Sequence, residues 1–180
     1  MPRPPNQYLS TWGDTEQPTT IISVTNIASF GNLITIDTSG WIVGMRFGYY
    51  SNATYPSIVG VVCKPNPDRY VVRVCNFKRP TPSVGGNILW CKGFIHPFLP
   101  IAAGDTYMYQ IFPRGSPVSY NDGALLAGPL TIGHFTYPQN TRTDPNGAYN
   151  TGPLGYPTID DNGRRYTIDV LFLPTQPRHP

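Results

Sequence analysis

Residues 41–50 read Trp41-Ile42-Val43-Gly44-Met45-Arg46-Phe47-Gly48-Tyr49-Tyr50. Large apolar side chains fall on Trp41, Val43, Met45, Phe47 and Tyr49, while Gly44, Arg46 and Gly48 fill the alternate positions. A period of two places successive side chains on opposite faces of a pleated strand, so one face is heavy and the other thin. The same rhythm returns near the C-terminus, where Tyr166, Ile168, Val170 and Phe172 share one side and Thr167 and Asp169 the other. Trp41, Phe47, Val170 and Phe172 are therefore expected to point inward.

Working outward, strand-like runs occupy 20–27, 33–36, 58–63, 70–77, 87–94, 105–112 and 130–137, besides the two above. Asn121-Asp122-Gly123, Asp144-Pro145-Asn146-Gly147 and Asp161-Asn162-Gly163 mark turns, because Asn, Asp and Gly tolerate positive φ. No stretch shows a helical period, and there is no internal repeat. Composition agrees: Glu occurs once and Lys three times, so the residues that usually cover helix surfaces are missing, while 13% of the chain is aromatic. The expected fold is all-β, an antiparallel β-sandwich of jelly-roll-like form spanning 21–173.

Residues 1–20 carry Pro2, Pro4, Pro5 and Pro18 among polar neighbours and read as an extended N-terminal arm; 174–180 form a short Pro-rich tail. The arm is either a leader or a segment that lies across a neighbouring subunit, anchored by Tyr8 and Trp12 and ordered only on assembly. The three cysteines, Cys63, Cys75 and Cys91, are odd in number and lack metal-ligand spacing. They are expected to be small, reduced core residues.

Several function classes find no support in the residues. Glu16 is the sole glutamate, and His96, His134 and His179 are scattered without a metal or nucleophile motif, so no catalytic residue, metal ligand or cofactor is expected. Asp160-Asp161-Asn162-Gly163 reads as a turn rather than a Ca²⁺ loop, and the sequon Asn52-Ala53-Thr54 is expected to carry no glycan. Net charge is +3, yet the ten arginines are dispersed, which argues against a nucleic-acid partner. No apolar run approaches the roughly 18 residues of a membrane span, and Met1-Pro2-Arg3-Pro4-Pro5 does not resemble a signal peptide. The chain is expected to be neither inserted in a membrane nor exported by the general secretory route.

Aromatic residues remain as candidates. Tyr49, Tyr50 and Tyr55 gather about one predicted loop, and Tyr120, Tyr137, Tyr149 and Tyr156 populate the irregular stretch from Ser116 to Gly163. Flat apolar faces with polar edges bind sugars or proteins, and they equally serve to cover their own sandwich. The candidate ligand- or partner-binding set is Tyr8, Trp12, Tyr49, Tyr50, Tyr55, Tyr120 and Tyr149.

A series of ordered motifs carries a resemblance. These are Gly40-Trp41-Ile42-Val43-Gly44-Met45-Arg46-Phe47, Val74-Cys75-Asn76-Phe77, Trp90, and Leu99-Pro100-Ile101-Ala102-Ala103-Gly104-Asp105-Thr106-Tyr107. Asn146-Gly147-Ala148-Tyr149 and Tyr166-Thr167-Ile168-Asp169-Val170-Leu171-Phe172 follow. Across Leu33 to Leu173 the chain resembles a bacterial domain family of uncharacterised function that recurs in large secreted proteins beside carbohydrate-active and immunoglobulin-like modules. The resemblance implies a β-sandwich similar to carbohydrate-binding modules, with no catalytic residues to transfer. The chain differs from the family in its arm and in the segment 78–86. A low-charge, Pro-, Gly- and Tyr-rich β-protein without an export signal looks like a bacteriophage structural protein released by lysis. The expected function is that of a non-enzymatic virion surface protein, a minor tail or head-decoration subunit present in many copies and docked on other virion proteins. The alternative is a secreted or cell-surface carbohydrate-binding module for bacterial polysaccharide, and a virion protein of this kind could itself touch host-surface glycan.

Overall fold

The computed structural model describes residues 8–12, 18–22, 27–50, 58–65, 67–77, 88–113, 118–141, 145–152 and 155–174. In chain order the strands are β1 (Thr20–Ile22), β2 (Ser29–Ile36), β3 (Gly40–Tyr50), β4 (Val59–Cys63), β5 (Val71–Asn76), β6 (Ile88–Ile101) and β7 (Thr106–Phe112). They continue with β8 (Val118–Asn121), β9 (Leu130–Ile132), β10 (Phe135–Tyr137), β11 (Ala148–Asn150), β12 (Ile159–Asp160), β13 (Arg165–Tyr166) and β14 (Ile168–Leu173). Every ladder is antiparallel. The large sheet runs β12-β11-β2-β7-β4-β5, with the β9–β10 hairpin attached to β2; two smaller sheets run β14-β3-β6 and β1-β8-β13. The fold is the all-β sandwich expected from the alternation, and among the described residues no helix is long and apolar enough to cross a membrane.

The main core lies between the large sheet and β14-β3-β6. Phe30, Ile34 and Ile36 from β2 and Tyr107, Tyr109 and Ile111 from β7 meet Met45 and Phe47 from β3 and Ile168, Val170 and Phe172 from β14. Phe47, Val170 and Phe172 thus point inward as expected. Trp41 does not: it is only half-buried, and Ile42 takes its place in the core. The cause is a bulge at Val43: Gly44 pairs with Leu171 and Ile42 with the next residue of β14, Phe172, so β3 carries one residue more than its partner there. One extra residue reverses the parity of everything before it, so the alternation read from Met45 onward no longer holds at Trp41.

The thin face of β3 is not a solvent face. Arg46 stands directly opposite Asp169 of β14, and both are buried, as is Thr167. Thr167 shares a 2.5 Å hydrogen bond with Ser119 of β8, and its backbone N–H donates to Ser119 at 3.0 Å. The small sheet is therefore covered on both sides. Close approach explains Gly44, where a Cβ would lie 2.2 Å from the Gly93 carbonyl oxygen of β6.

Cys63, Cys75 and Cys91 are free and buried. Thiol titration of the denatured, unreduced protein is expected to find three, and a count of one would reveal a bridge between two of them. Burial pushes the Cys63 thiol to about 11 and the Cys75 thiol to about 12, and it raises the Tyr109, Tyr137 and Tyr166 phenols as well. An unfolded chain loses these protons from about pH 8.5 for thiols and about pH 10 for phenols, while the folded chain retains them. Stability is then fully present below about pH 8 and falls as pH rises, by about 1.4 kcal/mol per pH unit for each titrating group. Melting temperature should decline steadily above pH 9; a flat profile to pH 11 would contradict the burial of these groups.

Candidate docking site

Residues 8–12 lie on their own subunit. Leu9 donates its N–H to the Phe172 carbonyl at 2.9 Å and accepts from the Phe172 N–H at 3.2 Å, and Tyr8 rests on Phe94 with ring centroids 5.8 Å apart. Thr11 and Trp12 close over the Arg46–Asp169 pair. Asp169 Oδ1 accepts from the Thr11 N–H at 2.7 Å and the Thr11 hydroxyl at 2.8 Å, while Oδ2 accepts from the Trp12 N–H at 3.1 Å and from Arg46 Nε at 2.7 Å. Arg46 also donates to the Trp12 carbonyl and, at 2.9 Å, to the Ser10 hydroxyl. Arg165 donates to the Thr11 carbonyl at 2.8 Å.

Four flat groups stack around this point. The Arg165 guanidinium lies 3.8 Å from the centroid of Trp12, Trp12 lies 6.1 Å from Trp90, and Arg46 lies 4.4 Å from Trp90. Cation–π attraction is strongest where water is excluded, and Trp12 is 1% exposed. Asp169 and the two arginines are also almost wholly buried, so the carboxylate is met by peptide donors and Arg46, and the guanidiniums by peptide carbonyls and indole faces, rather than by solvent. The socket thus recognises a peptide backbone by its amides and a tryptophan by its face.

Tyr8 and Trp12 contact their own chain, where the buried carboxylate of Asp169 supplies the acceptors that the Thr11 and Trp12 amides need. Residues 1–7 and 13–17 lie outside the described residues. The other candidates are dispersed. Tyr120 is buried, with Arg164 4.2 Å over its ring and Tyr166 edge-on at 5.9 Å, so it covers its own sandwich. Tyr149 is half-buried on β11 opposite Phe30. Tyr49 and Tyr50 belong to β3, their side chains outside the description, and Tyr55 lies outside the described residues altogether. Tyr137 and Tyr166 are buried too, the latter donating to Asp161.

A surface that the tyrosine reading passed over lies on the outer side of the large sheet. Leu33, Met108, Cys63 and Val71 are successive cross-strand partners from β2 to β5, and Val61 pairs with Val74 in the adjoining row. Tyr156 packs over Leu33, Val61, Cys63 and Met108, which are buried. Toward β5 the cover ends. Val71 is 54% exposed, Val74 53% and the preceding Tyr70 55%. The sequence signal was present in Val71-Val72-Arg73-Val74, where valines occupy both parities of an antiparallel strand and so leave neither face wholly polar.

No family model, curated protein or solved structure matches the chain.

Proposed function

We propose that the protein is a non-enzymatic subunit of a bacteriophage virion surface, a minor tail or head-decoration protein that docks on neighbouring virion proteins through the β5 end of the large sheet. The observation that carries this reading is the apolar row from Leu33 to Val71, buried for three strands and bare at the fourth. A contiguous apolar surface that continues a buried cluster is the usual form of a protein-binding face, since covering it removes the remaining side chains from water at about 25 cal/mol per Å². The low charge of the whole chain is in keeping with the same setting.

Carbohydrate binding is the alternative, and the inward placement of Tyr120 and Tyr137 leaves fewer rings for a sugar platform. Immunogold labelling of purified particles separates the two. Gold at regular positions on tails or heads supports the virion reading; unlabelled particles, with the protein retained on a column of bacterial wall polysaccharide, would replace it with the alternative.

A further inference from the structure

We infer that the turn joining β12 and β13 carries a site of spontaneous modification, at which the side-chain amide of Asn162 is lost to attack by the main-chain nitrogen of Gly163. The pair Asn-Gly occurs twice, at 146–147 and 162–163. Its chemistry is intramolecular. The peptide nitrogen after the asparagine, once deprotonated, bonds to the side-chain carbonyl carbon; the bond from that carbon to the amide nitrogen breaks, ammonia leaves, and a five-membered succinimide closes. Water then opens the ring at either carbonyl, giving aspartate or isoaspartate. Glycine in the second place favours attack because no Cβ crowds the nitrogen, and the reaction further needs a carboxamide free to turn toward it.

The fold treats the two pairs oppositely. Asn146 is wholly buried and its carboxamide is fully engaged: Oδ1 accepts from Asn32 Nδ2 at 3.1 Å and from the Leu33 N–H at 2.9 Å, and Nδ2 donates to the Leu33 and Pro138 carbonyls at 3.1 and 2.8 Å. Turning it toward Gly147 would break these bonds in the interior, so this pair is protected. Asn162 is exposed at the tip of its turn, with φ at 55°. Its main-chain N–H donates to Asp160 Oδ1 at 2.9 Å, but among the described residues neither its carboxamide nor the Gly163 N–H has a hydrogen-bond partner. No hydrogen bond has to break before they meet. Gly163 itself is buried against Leu125 and Leu126, so attack is expected to be slower than in an unfolded chain. Either product adds a carboxylate beside Asp160 and Asp161. Isoaspartate also lengthens the main chain by one methylene just before Gly163, whose carbonyl accepts the Leu125 N–H at 2.9 Å.

The test incubates the folded full-length protein in mildly alkaline buffer, beside a sample in urea and the variant Asn162→Gly, in which glycine keeps the left-handed turn and no carboxamide remains. Peptide mapping reads the mass shift of amide-to-acid exchange at each pair, an isoaspartate methyltransferase assay reads the rearranged product, and released ammonia is counted. In urea both pairs are expected to convert. In the folded parent Asn162 alone of the two converts, and folded Asn162→Gly loses that share of the ammonia. An Asn162 that keeps its amide in the folded chain while converting in urea would overturn the proposal. So would equal conversion of Asn146 and Asn162 in the folded chain, since the reaction would then run through unfolding rather than through the exposed turn.

Discussion

Phe47→Ala and Phe172→Ala are each expected to lower stability by about 3 to 5 kcal/mol, which for a domain of ordinary stability approaches or exceeds the whole margin. Phe47 is wholly buried between Phe30 and Phe77, with centroids 6.0 and 6.3 Å away. Phe172 is wholly buried edge-on to Phe135 at 5.9 Å. Truncation leaves a void that strands pinned in register on both sides cannot close, since β3 is held between β14 and β6. Denaturant titration measures the loss. A variant that melts within a few degrees of the parent would show that its side chain does not face the core.

Asp169→Ala is expected to cost a similar amount, about 3 to 5 kcal/mol, for a different reason. The aspartate is 0% exposed and receives the Thr11 and Trp12 amides, the Thr11 hydroxyl and Arg46 Nε. Its removal leaves a buried guanidinium without its carboxylate and two peptide amides without acceptors, and unmet buried donors cost more than the bonds contributed. Residues 9–12 should lift from the sheet as a result, so quenching of tryptophan fluorescence by acrylamide should rise together with the fall in melting temperature. Thr11→Ala removes one hydroxyl and leaves both amides in place, so a loss of about 1 kcal/mol is expected there. If Asp169→Ala and Thr11→Ala proved equal, the carboxylate would not be the centre of the socket.

Much of this architecture is legible in the residues, and the gaps have identifiable causes. β3, β4, β5, β7 and β14 follow from alternation and turn chemistry within a residue or two. β6 was expected to end at Phe94, yet it runs on to Ile101 through Pro97 and Pro100. It lies at the edge of its sheet, where a missing N–H need not break a ladder. The run 130–137 folds back at Gly133, where φ is 59°, into two short strands. β8, β11 and β12 have between two and four residues each, too few to show a period. The socket was hidden for another reason. Arg46 and Asp169 sit on polar parities of separate strands 123 residues apart, and only the pairing register brings them together. A charged residue on a thin face reads as solvated until a further layer, here residues 9–12, is seen to cover it.

The apolar end of the large sheet gives the most direct test of the functional account. Val71→Asp/Val74→Asp places two charges where each valine is more than half exposed, so folding and melting should stay close to those of the parent. The measurement is the fraction of each protein that co-sediments with virus particles on a density gradient. The parent is expected to travel with the particles and the double variant to remain at the top as a folded subunit. Parent protein that stays at the top, or a variant that co-sediments as fully as the parent, would contradict docking through β5.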